Sequence, residues 1–206
     1  MGIVRMEVGP LGTNCYIFYC NATMQAAVID PGGSAPEIIK VINDKHLEVA
    51  AIINTHGHAD HIGANSKIKK ATGAPIYIHP NDAAMLTSAR LNLSAFMGND
   101  VTSDPADHLL QEKDTIRIGK STLTVLFTPG HTPGGICLQG DSVIFSGDTL
   151  FAESVGRTDL PGGSGKQLIN SIQDKLMILP DEYKVLPGHG PETSIGWERK
   201  MNPFIR

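Results

Sequence analysis

Residues 49–61 read VAAIINTHGHADH. An apolar run of small and β-branched residues, suited to a strand buried on both faces, breaks into a turn carrying His56, His58, Asp60 and His61. Three further stretches share that design. LTVLFTPGH, SVIFSGD and EYKVLPGH each drive an apolar strand into a tight turn, and they deliver His131, Asp148 and His189 at or just past its end. Strand ends of a rigid sheet are where a fold aims side chains at a common point. Five of the chain's eight histidines fall in these four stretches, so the fold is constrained to bring their strand ends to one rim.

The rest of the chain supplies a scaffold for that rim. Strands are predicted at Val4–Val8, Asn14–Tyr19 and Ala26–Asp30, followed by a DPGG turn at 30–33. Ser34 is placed to cap a helix with Pro36 and Glu37 in its first turn, running to about His46 with Ile38, Ile39 and Ile42 on one face. After the strand Val49–Asn54, a helix is expected from about Asp60 to Ala71, ended by Gly73, and then a short strand in PIYIH. Residues 80–108 are polar in patches and weakly periodic, and a connection of that length points to a lid or a substrate wall. The second half repeats the logic: strands at Thr115–Ile118, Leu123–Thr128, Gly135–Leu138, Ser142–Phe145 and Tyr183–Leu186. An amphipathic helix is expected over Lys166–Leu179, with Leu168, Ile169, Ile172, Leu176, Ile178 and Leu179 as its apolar positions. This reads as an α/β chain of two packed sheets with helices outside. It is expected to form a single domain over 1–206 with two similar halves, roughly 1–105 and 106–206.

Imidazole and carboxylate together favour zinc, iron or manganese over calcium or magnesium. Seven ligands exceed one tetrahedral zinc and suit two metals with one carboxylate shared. His56 and His58 are two apart in an extended turn and can point one way; Asp60 and His61 are adjacent at a helix start and can face a second metal. Any one of His131, Asp148 or His189 alone is more often a satisfied turn residue, and Asp148 after Ser-Gly can cap a turn. All of them at strand ends make that reading poor. His46, His79 and His108 lack such context and read as structural or surface residues.

Composition narrows the function classes. Net charge is −4 with 41% hydrophobic and 18% charged residues, an ordinary balance for a globular protein. The one basic run, KIKK at 67–70, reads as a solvated helix face, so no nucleic-acid partner is expected. No apolar stretch is long enough for a membrane span. The opening MGIVRMEVGPLG has neither a signal-peptide core nor the Ser or Thr at position 6 that a myristoylation signal needs. Cys15, Cys20 and Cys137 are too few and scattered for a disulfide framework, which makes a cytoplasmic location the expectation. Oligomeric state is not readable from the chain.

THGHADH, TPGHTPG, FSGDTLF and LPGHGPET resemble the successive ligand motifs of the metallo-β-lactamase fold superfamily, and within it those of the glyoxalase II (hydroxyacylglutathione hydrolase-like) group. TNCYI near the start and NPF near the end also look like that group. The resemblance covers nearly the whole chain. It implies a four-layer αβ/βα sandwich with a two-metal site on its rim. One metal would take His56, His58 and His131, the other Asp60, His61 and His189, and Asp148 would bridge them. Two divalent ions are implied, zinc first, with iron or manganese as alternatives. The chain runs 17 residues past His189, so the C-terminal helical domain that grips glutathione in glyoxalase II enzymes is expected to be absent. Residues 153–164, ESVGRTDLPGGS, resemble shorter glyoxalase II-like proteins and persulfide dioxygenases, and Arg157 and Lys166 are the nearest cations for a substrate carboxylate or phosphate.

The expected activity is hydrolysis of a small-molecule acyl thioester, S-lactoylglutathione or a relative. Metals about 3.5–4 Å apart would lower the pKa of a shared water toward ~7, and the hydroxide would attack the acyl carbon. Asp60 would orient it or shuttle a proton. A thiolate leaves without strong acid help, so no separate general acid is demanded. The alternative is a mononuclear iron persulfide dioxygenase using residues matching His56, His131 and Asp148. A non-catalytic metal-stabilised domain is a third reading, disfavoured because binding alone needs no rim of seven polar groups.

Overall fold

The computed structural model describes residues 1–98 and 100–205. Its strands, numbered in chain order, form two six-stranded sheets. The first runs in the order β1 (Gly2–Val8), β2 (Thr13–Tyr19), β3 (Gln25–Ile29), β4 (Glu48–Ile53), β5 (Ile76–Ile78) and β6 (His108–Leu109). The second contains β7 (Thr115–Ile118), β8 (Ser121–Phe127), β9 (Ile136–Gln139), β10 (Val143–Gly147), β13 (Lys184–Pro187) and β14 (Thr193–Ser194), ordered β14-β13-β10-β9-β8-β7. A two-stranded ribbon, β11 (Leu150–Phe151) and β12 (Ser154–Val155), stands apart. From β3 to β6 the first sheet is parallel, and in the second β10 and β13 run parallel. Parallel neighbours send their C-terminal ends to the same edge, which places Asp148, after β10, beside His189, after β13.

Three apolar clusters define the layers. Between the sheets lie Tyr16, Phe18, Ile29 and Ile53 from the first and Leu123, Val125, Leu138 and Phe145 from the second. Phe145 meets Tyr16 and Phe18 edge-on, with ring centroids 5.3 and 5.9 Å away. On the outer face of the first sheet, Ile17, Val28 and Ile52 bury Ile38 and Ile42 of α1 (Ala35–Asp44) and Ile68 of α3 (Asn65–Thr72). Past the short helix α4 (Ala83–Leu86), on the outer face of the second sheet, Cys137, Ile144 and Val185 bury Leu168 of α5 (Gly165–Ser171) and Ile195 of α6 (Ile195–Met201). The two sheets are flanked by helices, giving the four layers αβ/βα. No helix among the described residues is long and apolar enough to cross a membrane.

Three local expectations need correction. Ser34 precedes α1 but sits in the left-handed region at φ 50° and makes no side-chain cap; its hydroxyl instead accepts from the Gly9 amide at 3.4 Å. The helix expected over Asp60–Ala71 is two helices, α2 (Ala59–Ile62) and α3, parted at Gly63. There the chain presses on the DPGG turn: a Cβ at Gly63 would stand 2.5 Å from the Gly32 carbonyl oxygen, and the Ala64 amide donates to the Pro31 carbonyl. The helix expected over Lys166–Leu179 is α-helical only to Ser171 and continues as a wider π turn over Ile172–Leu176. Leu168, Ile172 and Leu176 stay buried, but Ile178 lies beyond the helix and is 73% exposed.

Candidate metal centre

The ligand-bearing turns sit at the C-terminal ends of β4, β8, β10 and β13. The turn after β4 is tied down from inside: the Asn54 amide donates to the His61 carbonyl at 3.0 Å and accepts from Asn65 at 2.7 Å. It also needs glycine beneath it. A Cβ at Gly32 would fall 1.5 Å from the Asp60 carbonyl oxygen, so only glycine lets α2 settle on the DPGG turn. Gly188 has the same role one strand over, since a Cβ there would stand 2.2 Å from Asp148 Oδ1 and 2.8 Å from His61 Cε1. The turn that carries His189 is held by β2: Asn14 donates to the Pro187 and Gly190 carbonyls at 2.9 and 3.0 Å, and the Tyr16 hydroxyl donates to Pro187 at 2.8 Å. TNCYI therefore clamps the turn that carries His189.

The structure brings all seven sequence-predicted ligands together. His56, His58 and His131 form one group; His56, His61 and Asp148 a second; Asp60, His61 and His189 a third, with the ligand atoms of each group within 4.8 Å of one another. His56 stands over His61 with ring centroids 4.1 Å apart, closer than the division of the first cluster into two pairs implies. Asp148 Oδ1 lies 3.4 Å from His61 Nε2, while its Oδ2 lies 3.6 Å from His131 Nε2 and 3.7 Å from His189 Nε2. Its carboxylate thus faces the imidazoles of His61, His131 and His189.

Hydrogen bonds fix which nitrogen faces the centre. His131 Nδ1 donates to the Arg157 carbonyl at 2.7 Å, leaving Nε2 as the free lone pair. The Thr55 hydroxyl gives its proton to Asp30 at 2.7 Å, so it accepts from His56 Nδ1 at 3.2 Å, again freeing Nε2. His61 Nδ1 lies 3.1 Å from Asp30 Oδ2. Burial, with the neighbouring imidazoles, holds His56 well below its ordinary pKa and pushes His58 down to about 3. For His61 burial acts the same way, but Asp148, Asp60 and Asp30 outweigh it and push it up to about 10. Burial would raise Asp60, yet His61 and the His189 hydrogen bond hold it below the usual carboxylate range. Burial thus keeps His56 and His58 in their neutral form, while the carboxylates around His61 favour a cation beside them.

That donor set fits divalent metals. His56 Nε2, His61 Nε2 and Asp148 Oδ1 are buried without any hydrogen-bond partner, an arrangement that ordinarily costs about 1–3 kcal/mol per group. His58 Nδ1 and His131 Nε2 face each other at 3.0 Å, near the ligand separation of roughly 3.4 Å that tetrahedral bonds of about 2.1 Å require. Nitrogen and oxygen donors without sulfur suit zinc, iron or manganese.

Three supporting residues escaped the sequence. Asp82, fully buried, accepts from the Gly57 amide at 3.1 Å, the Thr132 hydroxyl at 2.7 Å and the Gly134 amide at 2.7 Å. It joins the His56–His58 turn to the His131 turn. Asp30 does the same for Thr55 and His61, and the Arg157 carbonyl for His131. These act across 25 to 52 residues of sequence, where no local spacing signals them. Replacing Asp82 with alanine is expected to weaken metal binding about 10–100-fold, measured by competition with a chromophoric chelator, with Asp82→Asn losing less because it keeps an acceptor.

A cavity of about 910 Å³ opens onto the centre, lined by His58, Asp60, His131, Asp148 and His189 together with Leu11, Asn92, Leu93, Phe96, Met97, Phe151 and Arg157 among others. Residues from the 80–108 segment do form part of its wall, although position 99 lies outside the described residues. Arg157 reaches this wall, but its guanidinium is engaged by Asp159 at 2.8 and 2.7 Å. Lys166, in the first turn of α5, is not among the lining residues. His79 stacks on Phe127 at 4.3 Å and His108 on Tyr77 at 4.7 Å, away from the centre.

Known proteins share this architecture. The chain is 42% identical over 204 residues to the probable metallo-hydrolase YqgX of Bacillus subtilis, covering 98% of this chain and 96% of that one. It is 34% identical over 209 residues to the hydroxyacylglutathione hydrolase GloC of Haemophilus influenzae, covering 100% and 98%. Among solved structures, BLEG-1 B3 metallo-beta-lactamase superposes with a TM-score of 0.95 at 39% identity over 99% of both chains. TTHA1623 in a di-iron-bound form gives 0.86 at 36% identity over 98% and 99%, and ETHE1 from Myxococcus xanthus 0.84 at 29% over 98% and 84%. The metallo-beta-lactamase superfamily model matches residues 8–189, from the end of β1 to the last of the seven ligands; the chain belongs to that superfamily.

Proposed function

We propose that this metallo-hydrolase cleaves a small-molecule acyl thioester with two divalent metals, zinc first and iron or manganese as alternatives. The observation that carries the reading is that Asp60, His61 and His189 converge beside the His56–His58–His131 group, with His58, Asp60, His131, Asp148 and His189 lining one cavity. His56, His58 and His131 would hold one ion, Asp60, His61 and His189 the other, with Asp148 between. Bound there, the ions supply Lewis acidity that brings the pKa of water toward ~7 and polarises an acyl carbonyl.

The chain's own groups do the rest. Asp60 Oδ2 is fixed by the Thr13 hydroxyl at 3.1 Å and lies 3.2 Å from His189 Nε2, so it is positioned to orient the attacking water and accept its proton. Among the described residues, every ionisable group lining the cavity is either a proposed ligand or Arg157. None is a spare general acid, which favours a leaving group that departs as an anion. A thiolate does; an amine does not. A reducing, cytoplasmic setting belongs to this reading, since Cys15, Cys20 and Cys137 are all unpaired.

The test is thiol release from a panel of thioesters that includes S-lactoylglutathione, run under nitrogen. Turnover that survives without oxygen and is lost in Asp60→Ala supports the proposal. Metal-loaded protein inert to the whole panel overturns it, and oxygen uptake on glutathione persulfide with one iron per chain would establish the dioxygenase instead.

A further inference from the structure

The wall of the cavity is apolar in a way the metal centre does not require. Leu11 from the β1–β2 turn is 50% exposed, Met97 56% and Phe96 73%, and Phe151, Val155 and Leu160 continue the surface from the ribbon side. Water-facing apolar side chains grouped around one cavity mark a ligand surface. Their presentation is built into the fold. Asn92, buried, donates to the Met85 and Val101 carbonyls at 3.0 and 2.8 Å and accepts from the Ser94 hydroxyl at 2.7 Å. Its own carbonyl accepts from the Ala59 amide of α2 at 3.2 Å. The turn over Ser94–Met97 that holds Phe96 and Met97 is thereby fastened to the helix that carries Asp60 and His61.

Unpaired cations are missing from the described residues of the same wall. Arg157 is the cation among the lining residues, and Asp159 neutralises it through two hydrogen bonds. A glutathione thioester brings two carboxylates, for which the described residues of this wall offer no unpaired Lys or Arg. We propose that the substrate is a thioester with an uncharged, apolar arm seated against Leu11, Phe96 and Met97, and that the glutathione carboxylates are not read. This rests on the thioester reading for the reaction but on the wall alone for the selectivity. The arm can belong to the acyl or to the thiol side of the sulfur, and the probes separate the two.

The experiment uses 2-oxoalkyl thioethers, in which a methylene between carbonyl and sulfur removes the hydrolysable bond. One series lengthens the acyl arm and another the thiol arm. A third pair carries glutathione or N-acetylcysteamine on the same short acyl arm. Binding to the metal-loaded protein is measured by calorimetry. The expected result is a Kd that tightens about fourfold per added methylene on one arm, a slope at least halved in Phe96→Ser, and glutathione and N-acetylcysteamine analogues within threefold of each other. A Kd independent of length on both arms, or a glutathione analogue bound more than tenfold tighter, overturns the inference. These slopes are read without turnover, so a protein that binds as expected yet hydrolyses nothing sinks the proposed reaction and leaves the wall's selectivity standing.

Discussion

Replacing Asp148 with alanine is expected to cost at least about a thousandfold in kcat/KM, roughly 4 kcal/mol of transition-state stabilisation, and to reduce bound metal below one ion per chain. The reason lies in its position. One carboxylate oxygen is 3.4 Å from His61 Nε2 and the other is 3.6 and 3.7 Å from His131 and His189 Nε2, so the side chain faces members of both ligand groups. Its Oδ1 is buried with no hydrogen-bond partner, and its place is kept open by Gly188. Without it, the imidazoles lose the anion they share, and neither proposed ion would keep a full set of ligands. Asp148→Asn should lie between wild type and alanine because it keeps the shape and loses the charge. Elemental analysis beside turnover checks this; two ions retained at near-normal activity would remove Asp148 from its shared role.

Stripping the metals should be nearly as damaging to the fold as to the chemistry. The ligands come from four turns that join both sheets, and several of their polar atoms are buried without protein partners. An ion held at about a thousand times its Kd contributes roughly 4 kcal/mol through linkage. For a domain of this size, each kcal/mol moves Tm by about 2–4 °C, so dialysis against a chelator is expected to lower Tm by roughly 8–16 °C. Adding the metal back should restore both Tm and turnover. An unchanged melting curve after complete removal would show that the turns need no ion to stay closed.

The centre was legible because its ligands follow their strands without interruption. In VAAIINTHGHADH the apolar run, the turn and four ligands are contiguous, so pattern and chemistry are read together. What holds them was not legible. Asp82 lies in a short helical segment among polar residues and reaches Gly57 and Thr132 only after the chain has folded. Arg157 attracted notice for its charge, whereas its backbone carbonyl is what orients His131. Element ends failed where tertiary contact overrode local preference: Gly32 against Gly63 splits one helical pattern into α2 and α3, and the π turn after Ser171 leaves Ile178 in solvent although its spacing looked amphipathic. The 80–108 segment had too little periodicity to show its turns, yet its length alone pointed to the wall that Phe96 and Met97 now form part of.

The central claim is that two ions act together, and a metal titration of the apo-protein tests it most directly. Thioester turnover, followed under nitrogen while metal is added in substoichiometric steps, should climb to its plateau only as the second equivalent binds. A plateau reached at one equivalent and unmoved by the next would contradict the two-ion account.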